Sequence, residues 1–585
     1  MSRLGHRFAV AASAALAAAA LVLSAVATAG AQASVPTARA PQSTPQLDAA
    51  TPGTLQQCES LIGFAFPNTV ITGASIVAAG VLSNGGQPIG EHCLVAGKMN
   101  QRVSAVDGRT YAIGFEMRLP TAWSGRYLYQ ANGGIDGSIA TAIGATRGGE
   151  SGLQMGMAVI SSDAGHNGGQ NPVFGLDPQA RLDYGYQAVG TLTPMAKSLV
   201  AATYGRGPDR SYITGGSNGG RHTMVASTRY ADQYDGFLAI SPGFNLPKAA
   251  VAQIWGAQQW STLATTSDLA SAFSVQERQL VANAILARCD GLDGLDDGMV
   301  YSSAKCQNVF SIQGHVPTCT SERDGTCLTH EQKKVIAAIF EGAETSDGTP
   351  IYASFPFDPG LVQRGWADWK FNAPLNRDAG AVGYIFNTPP PAPALSADAL
   401  RSFALDLDID AAAKAIWTTS GIYSESAMSF MTPPNPANID TLKDRGGKMI
   451  VIHGASDGVF SPDDTAAWYE DVDDRYSGSA DGFVRYYEIP GMGHVAGGPA
   501  TDQHQALSAL IAWVEQGSAP ELVGSVNPAN TEIPVDWSPT RTRPLCAYPA
   551  IAQYTAGDPE AASSFLCVDG PRRGNSYSAP APRNG

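Results

Sequence analysis

The chain reads as an α/β protein: a parallel-sheet core interrupted by a large insertion. From about residue 54 to 245, apolar strand-like runs alternate with helical patterns, and the alternation returns near Leu442 and closes by about Cys567. Residues 246–435 lose it. Trp255, Trp260, Trp366, Trp369 and Trp417 fall there with a Pro-rich stretch, Thr388–Pro393, so the segment reads as a lid inserted into the sheet. The expected organisation is a sheet domain at 54–245 and 436–567, with the lid at 246–435 between them.

Each strand that carries chemistry shows a local signature. Ser211–Gly216 reads as a short strand, and a helix is expected from about His222 to Arg229. The glycine-rich corner between them, Gly215-Gly216-Ser217-Asn218-Gly219, has the G-x-S-x-G spacing of a nucleophile elbow. A serine on a strained turn projects its hydroxyl clear of the sheet, and the helix start behind it aims N–H groups at a developing negative charge. An ordinary Gly-rich loop is the plainer reading of these five residues taken alone.

Lys448–His453 is an apolar run of the buried parallel kind, and it ends in Gly454-Ala-Ser-Asp457. A carboxylate past the C-terminal end of a strand lies where open sheets keep functional groups. Asp463 and Asp464, after Pro462, suit helix capping better, which leaves Asp457 as the candidate acid. Phe483–Ile489 reads as the next strand and leads into Gly491-Met-Gly-His494-Val-Ala-Gly-Gly498. His494 on this loop is the candidate base. His504 lies in Asp502–Val514, an amphipathic helical pattern, and reads as a surface polar residue. The chain order Ser217, Asp457, His494 is that of α/β-hydrolases. Arg126–Gln130 followed by Asn132-Gly133-Gly134 reads as the strand and loop that supply an oxyanion hole. The main-chain N–H of Gly133 or Gly134 is expected there beside that of Asn218.

The termini and composition bound the setting. Arg3 and Arg7 precede an Ala/Leu/Val-rich stretch and Ala31-Gln-Ala33, the pattern of a secretory signal at residues 1–33; a membrane anchor is the alternative. Loss of that segment would take the net charge from −15 to −17, which argues against nucleic acid as a partner. Residues 34–53 read as a flexible leader and 568–585 as a disordered tail. All eight cysteines follow the signal, which suits a secreted or periplasmic protein. Proximity suggests Cys58–Cys93, Cys289–Cys306, Cys319–Cys327 and Cys546–Cys567, although eight cysteines allow on the order of a hundred pairings. Within the lid, Asp290, Asp293, Asp296 and Asp297 alternate with glycines. That spacing suits either a Ca²⁺ loop or a solvated acidic turn.

Assembled, these residues resemble the tannase and feruloyl esterase family from about Cys58 to Cys567. The resemblance is carried jointly by Cys93–Gly97, Asn132–Gly134, Ser162–His166, Asp183–Tyr186, Gly216–Gly220, the acidic loop Cys289–Gly298, Gly446–Gly454 and Thr542–Pro549. It implies an α/β-hydrolase core under a large lid, and hydrolysis of small-molecule esters of aromatic acids such as gallate, ferulate or terephthalate. It also implies a structural Ca²⁺ held by the Asp290, Asp293 and Asp297 side chains and the Leu295 and Met299 carbonyls, and it matches the four neighbour pairings of cysteines. One departure stands out. The family usually bridges a cysteine before the serine to one after the histidine, and these positions are Gly216 and Val495 here. Trp366, Trp369, Phe371, Tyr384 and Phe386 are candidates to stack on an aromatic ring, with lid packing as their plainer role, and Arg364 is a candidate carboxylate partner. An aliphatic ester or polyester hydrolase, a peptidase, and an exported binding protein without turnover are the competing readings.

Overall fold

The central parallel strands are built from runs buried on both faces, while the edge strands alternate buried and exposed residues. In the computed structural model, which describes residues 44–573, nine strands form one sheet. In chain order they are β1 (Thr69–Val77), β2 (His92–Val103), β3 (Thr110–Pro120), β4 (Arg126–Ala131), β5 (Ala158–Ser162), β6 (Arg210–Gly216), β7 (Gly236–Ile240), β8 (Lys448–Gly454) and β9 (Val484–Ile489). They lie in the order β9-β8-β7-β6-β4-β5-β3-β2-β1. The pairs from β5 through β4, β6, β7 and β8 to β9 are parallel, and β1–β3 add an antiparallel edge. Every residue of β7 and β8 is buried, the mark of strands covered on both faces.

Five helices organise the molecule: α1 (Ala188–Tyr204), α2 (Asn218–Arg229), α3 (Leu246–Ser261), α4 (Pro462–Arg475) and α5 (Ala506–Gln516). All but α3 pack on the sheet, and α3 packs among the helices of the insertion. The helix behind Ser217 starts at Asn218, four residues earlier than the sequence pattern placed it. Ser461 caps α4 by accepting from the Asp463 N–H, with Pro462 at the first helical position. Asp463 and Asp464 sit inside that first turn instead of capping it. Between β7 and β8, residues 246–435 contain helical segments and no strand, as an inserted lid. Its core is apolar and aromatic: Trp260 stacks on Phe273, and Phe371 meets Trp260 and Trp366 edge-on.

Four disulfides form between the neighbouring cysteines: Cys58–Cys93, Cys289–Cys306, Cys319–Cys327 and Cys546–Cys567. Two of them staple the lid. Among the described residues no helix is long and apolar enough to cross a membrane.

Two expectations need correction. The described part of the leader is docked, not flexible. Gln46 donates to the Val514 carbonyl, the Ala50 N–H to Glu515 and the Thr51 N–H to Asp209, and Gly53–Thr54 pairs with Ala122–Trp123. Acceptors at the end of α5 and before β6 hold backbone groups that composition alone left free. The start of the tail is likewise anchored. Phe565–Val568 pairs with Ile551–Tyr554, and the Arg573 guanidinium is paired with Asp463 and Glu488, each at 2.5 Å. The expected signal, residues 1–33, lies outside the described residues.

Candidate active site

Three loops at the C-terminal ends of β6, β8 and β9 meet at one rim of the sheet. After β6 the chain turns at Ser217 with φ 61° and ψ −126°, a conformation that costs on the order of 1–3 kcal/mol for a residue with a side chain. The turn is closed by backbone crowding. A Cβ on Gly215 would stand 2.5 Å from the Gly219 carbonyl carbon, and one on Gly219 would stand 2.3 Å from the Ala131 oxygen. Only glycine fits either place.

His494, on the loop after β9, reaches this serine. Its Nε2 lies 2.8 Å from Ser217 Oγ and its Nδ1 lies 2.7 Å from Asp457 Oδ2. Because the carboxylate only accepts, it holds the ring proton on Nδ1 and leaves Nε2 to accept from the serine. Asp457 Oδ1 also accepts the N–H groups of Val459 and Phe460, and a second imidazole, Nε2 of His453, lies 3.1 Å from Oδ2. Burial alone would push this carboxyl up. The charge that His494 takes on when protonated and the hydrogen bonds of His453 and His494 outweigh it and hold Asp457 well below the usual carboxylate range.

His453 was missed by sequence reasoning. It closes the apolar run of β8, and its spacing of four from Asp457 was the only available signal. Its other nitrogen is bonded to Thr465 Oγ1, so it braces the acid against α4. His504, expected on a helix surface, is buried at 1% exposure just before α5 begins.

The loop after β4 approaches the same serine. A Cβ on Gly133 would stand 3.7 Å from Ser217 Cβ, whereas a Cβ on Gly134, at φ 66°, would meet nothing within 4 Å. Asn218 keeps its side chain inward: Nδ2 donates to Asp136 Oδ2 at 2.8 Å, and Oδ1 accepts from Arg221 Nε at 2.6 Å. Asp136 also faces His222 Nε2 at 2.8 Å, so one buried carboxylate ties the Gly133 loop to the first turn of α2. The main-chain N–H of Asn218 stands in that first turn, where an α-helix offers no acceptor of its own.

Of the lid rings, Trp369 reaches the site. It meets the His494 ring edge-on at 5.0 Å between centroids, and Phe460 does the same at 5.3 Å. The Arg377 guanidinium lies 4.3 Å over the Trp369 ring. Trp366, Phe371, Tyr384 and Phe386 are buried in the lid core, and Trp366 also lies against Gly458, beside Asp457. Burial of this kind fits their plainer role, lid packing. Arg364 is exposed, and its N–H is bonded to Glu532.

The acidic loop of the lid is drawn inward. Asp290 accepts the N–H groups of Asp297, Gly298 and Met299, and Asp297 is paired with the buried Arg543 at 2.5 Å. Asp293 Oδ2 is buried with no partner. Burial pushes Asp293 up to about 7, and the charges of Asp297 and Asp290 push the same way. Hard oxygen donors with one orphaned carboxylate oxygen fit a divalent cation in chemistry, although among the described residues no three acidic, histidine or cysteine side chains close around a single point.

A parallel sheet with a strained serine at one strand end, backed by histidine and aspartate from two later strand ends, defines an α/β-hydrolase, here a carboxylic ester hydrolase. Residues 93–568 match the family described as tannase and feruloyl esterase, and the chain belongs to that family. A mono(2-hydroxyethyl) terephthalate hydrolase of Piscinibacter sakaiensis is 36% identical over 530 residues, covering 82% of this chain and 85% of that protein. Among solved structures, an esterase from Aspergillus oryzae superposes with a TM-score of 0.71 at 23% identity, covering 87% of this chain and 99% of the other. Feruloyl esterase B from Aspergillus oryzae superposes with a TM-score of 0.69 at 24% identity, covering 86% and 98%.

Proposed function

We propose that the protein is an exported serine esterase that cleaves esters of aromatic acids through an acyl-enzyme. The observation that carries this reading is the unbroken relay from Ser217 through His494 to Asp457, at 2.8 and 2.7 Å.

In this reading Ser217 Oγ attacks the ester carbonyl while His494 Nε2 takes its proton. Asp457 holds the imidazole in register and stabilises its charged form. The N–H groups of Asn218 and Gly133 receive the developing oxyanion. His494 then returns the proton to the leaving alcohol, and a water molecule activated by the same nitrogen releases the acid. The half-buried Trp369 and the Arg377 guanidinium over it supply a flat apolar wall with a cation nearby, which suits an aromatic acyl group. The relatives named for terephthalate and ferulate esters support the same substrate class. Four disulfides support export. In the lid, Asp290, Asp293 and Asp297 with the Leu295 and Met299 carbonyls are the proposed holders of a structural Ca²⁺, which would tie the lid to the C-terminal segment through Arg543.

The experiment is turnover of a panel of aromatic esters, aliphatic esters and peptides by the wild type and by Ser217→Ala. Aromatic esters are expected to be cleaved best, and Ser217→Ala to lower turnover by about 10⁴-fold or more. Wild-type-like turnover by Ser217→Ala would remove the mechanism. A preference for aliphatic esters or peptides would keep the triad and remove the substrate class.

A further inference from the structure

We infer that the lid segment Asp358–Gln363 is a clamp that positions the His494 and Asp457 loops, making the lid part of the apparatus that holds the triad together. The inference rests on the esterase reading above and deepens it.

Gly491 begins the loop that carries His494, and both of its main-chain polar groups are taken by the lid. Its N–H donates to Asp358 Oδ2 at 3.1 Å, and its carbonyl accepts from Gln363 Nε2 at 2.9 Å. The same Asp358 carboxylate accepts from the Ser456 hydroxyl and from the Gly360 N–H. Ser456 immediately precedes Asp457, and its own N–H donates to the Met492 carbonyl at 3.0 Å. One lid carboxylate therefore grips the acid loop and the base loop at once.

The Gln363 amide is seated inside the base loop. A Cβ on Gly493 would stand 2.2 Å from its Oε1, and one on Gly498 would stand 2.3 Å from its Nε2. These two glycines bracket His494, and their missing side chains make the slot the amide occupies. The Gly493 N–H closes back on the Gly497 carbonyl around it, at 3.1 Å. Six residues beyond Gln363, Trp369 packs against the His494 ring itself.

Asp358 and Gln363 are 3% and 5% exposed. A lid held down by packing alone would place apolar side chains here, because a buried carboxylate and amide carry a desolvation cost that only directed hydrogen bonds offset. Those bonds fix where the loop backbone stands, which packing does only loosely. No covalent link performs this task, since Gly216 and Val495 stand on either side of the serine–histidine contact.

The test compares Gln363→Ala and Asp358→Asn with the wild type, on an aromatic ester and in labelling of Ser217 by a fluorophosphonate. Both variants are expected to lose about 10- to 100-fold in kcat with KM changed less than about twofold. The labelling rate should fall in parallel, because a displaced base costs transition-state stabilisation and not binding. Rescue is then sought by adding Gly216→Cys and Val495→Cys to Gln363→Ala. Val495 Cγ1 lies 2.9 Å from where a Cβ on Gly216 would stand, which brings the two positions within bridging reach. The oxidised bridge should restore most of kcat, and a reductant should abolish the gain. Unchanged kcat in Gln363→Ala, or a loss that the oxidised bridge leaves in place, would overturn the clamp, whether or not Asp358→Asn folds. A wild type inert to every ester and to the fluorophosphonate would instead sink the esterase reading, and the clamp with it.

Discussion

A Cβ on Gly216 would stand 2.9 Å from Cγ1 of Val495. The residue before the nucleophile and the residue after the base therefore touch, with a valine side chain occupying the space that glycine leaves. Val495 has φ 69°, a region that a β-branched residue rarely adopts, and its N–H is held by Ser241 Oγ at 3.1 Å. Strain of this kind persists only where the surroundings over-determine it, and here it lies beside His494.

Gly216→Ala is expected to push on Val495 and move His494, lowering kcat by about tenfold with little change in KM. Adding Val495→Ala should recover part of the loss, because the two sites are in contact and their effects are not additive. Equal kcat in Gly216→Ala and the wild type would show that the contact is slack.

Trp369→Ala removes an edge-on partner of the His494 ring and the face on which Arg377 rests. Loss of the wall should lower kcat/KM for aromatic esters by about tenfold and for small aliphatic esters by less, on the scale of one aromatic contact of about 1 kcal/mol. Equal losses on both classes would argue against a role in choosing the acyl group.

Lys370, next to Trp369, is buried with its ammonium 3.7 Å over the Phe355 ring. Burial pushes it down to about 7 against the upward pull of Asp457 and Asp378. The unfolded chain holds this proton to about 10.5, so between about 7 and 10.5 the folded state binds fewer protons. Stability from this group thus rises with pH across that window, and the full penalty applies below it. Lys370→Met should raise Tm, with a larger gain near pH 6 than near pH 10. A gain independent of pH would mean that the amine is not the cause.

For the acidic loop, a chelator is expected to lower Tm by several degrees, reversed by added Ca²⁺, since an ion at about 100-fold its Kd stabilises by about 2.7 kcal/mol. Asp293→Ala should abolish the difference between chelated and Ca²⁺-loaded protein. Melting curves that coincide with and without chelator would remove the ion from the proposal.

The parts legible in sequence were those whose physics is local. The strand, tight turn and helix around Ser217 are written in one continuous stretch, Ser211–Arg229, because the crowding at Gly215 and Gly219 is set by the turn itself. The lid rings were not legible in that way. Trp366 and Trp369 are three residues apart and equally apolar, yet Trp366 is 5% exposed in the lid core and Trp369 meets His494. The helix widens into a π turn over Asp368–Asn372, which takes in Trp369 and leaves out Trp366, and aromatic composition carries no trace of it. Residues 44–53 looked unstructured because their partners, Asp209, Val514 and Glu515, are more than 150 residues away.

By itself, then, the sequence determined the fold class, the nucleophile elbow, and the order in which acid and base follow it, since strand pattern and turn chemistry act over a few residues. Tertiary structure alone decided that His453 braces Asp457, that Asp136 ties Gly133 to Asn218, and that Asp358 and Gln363 grip both triad loops from the lid. Each of these joins segments far apart in the chain. A hydrogen bond between distant segments has no local pattern to announce it, because its partners are chosen by where the sheet and lid bring them.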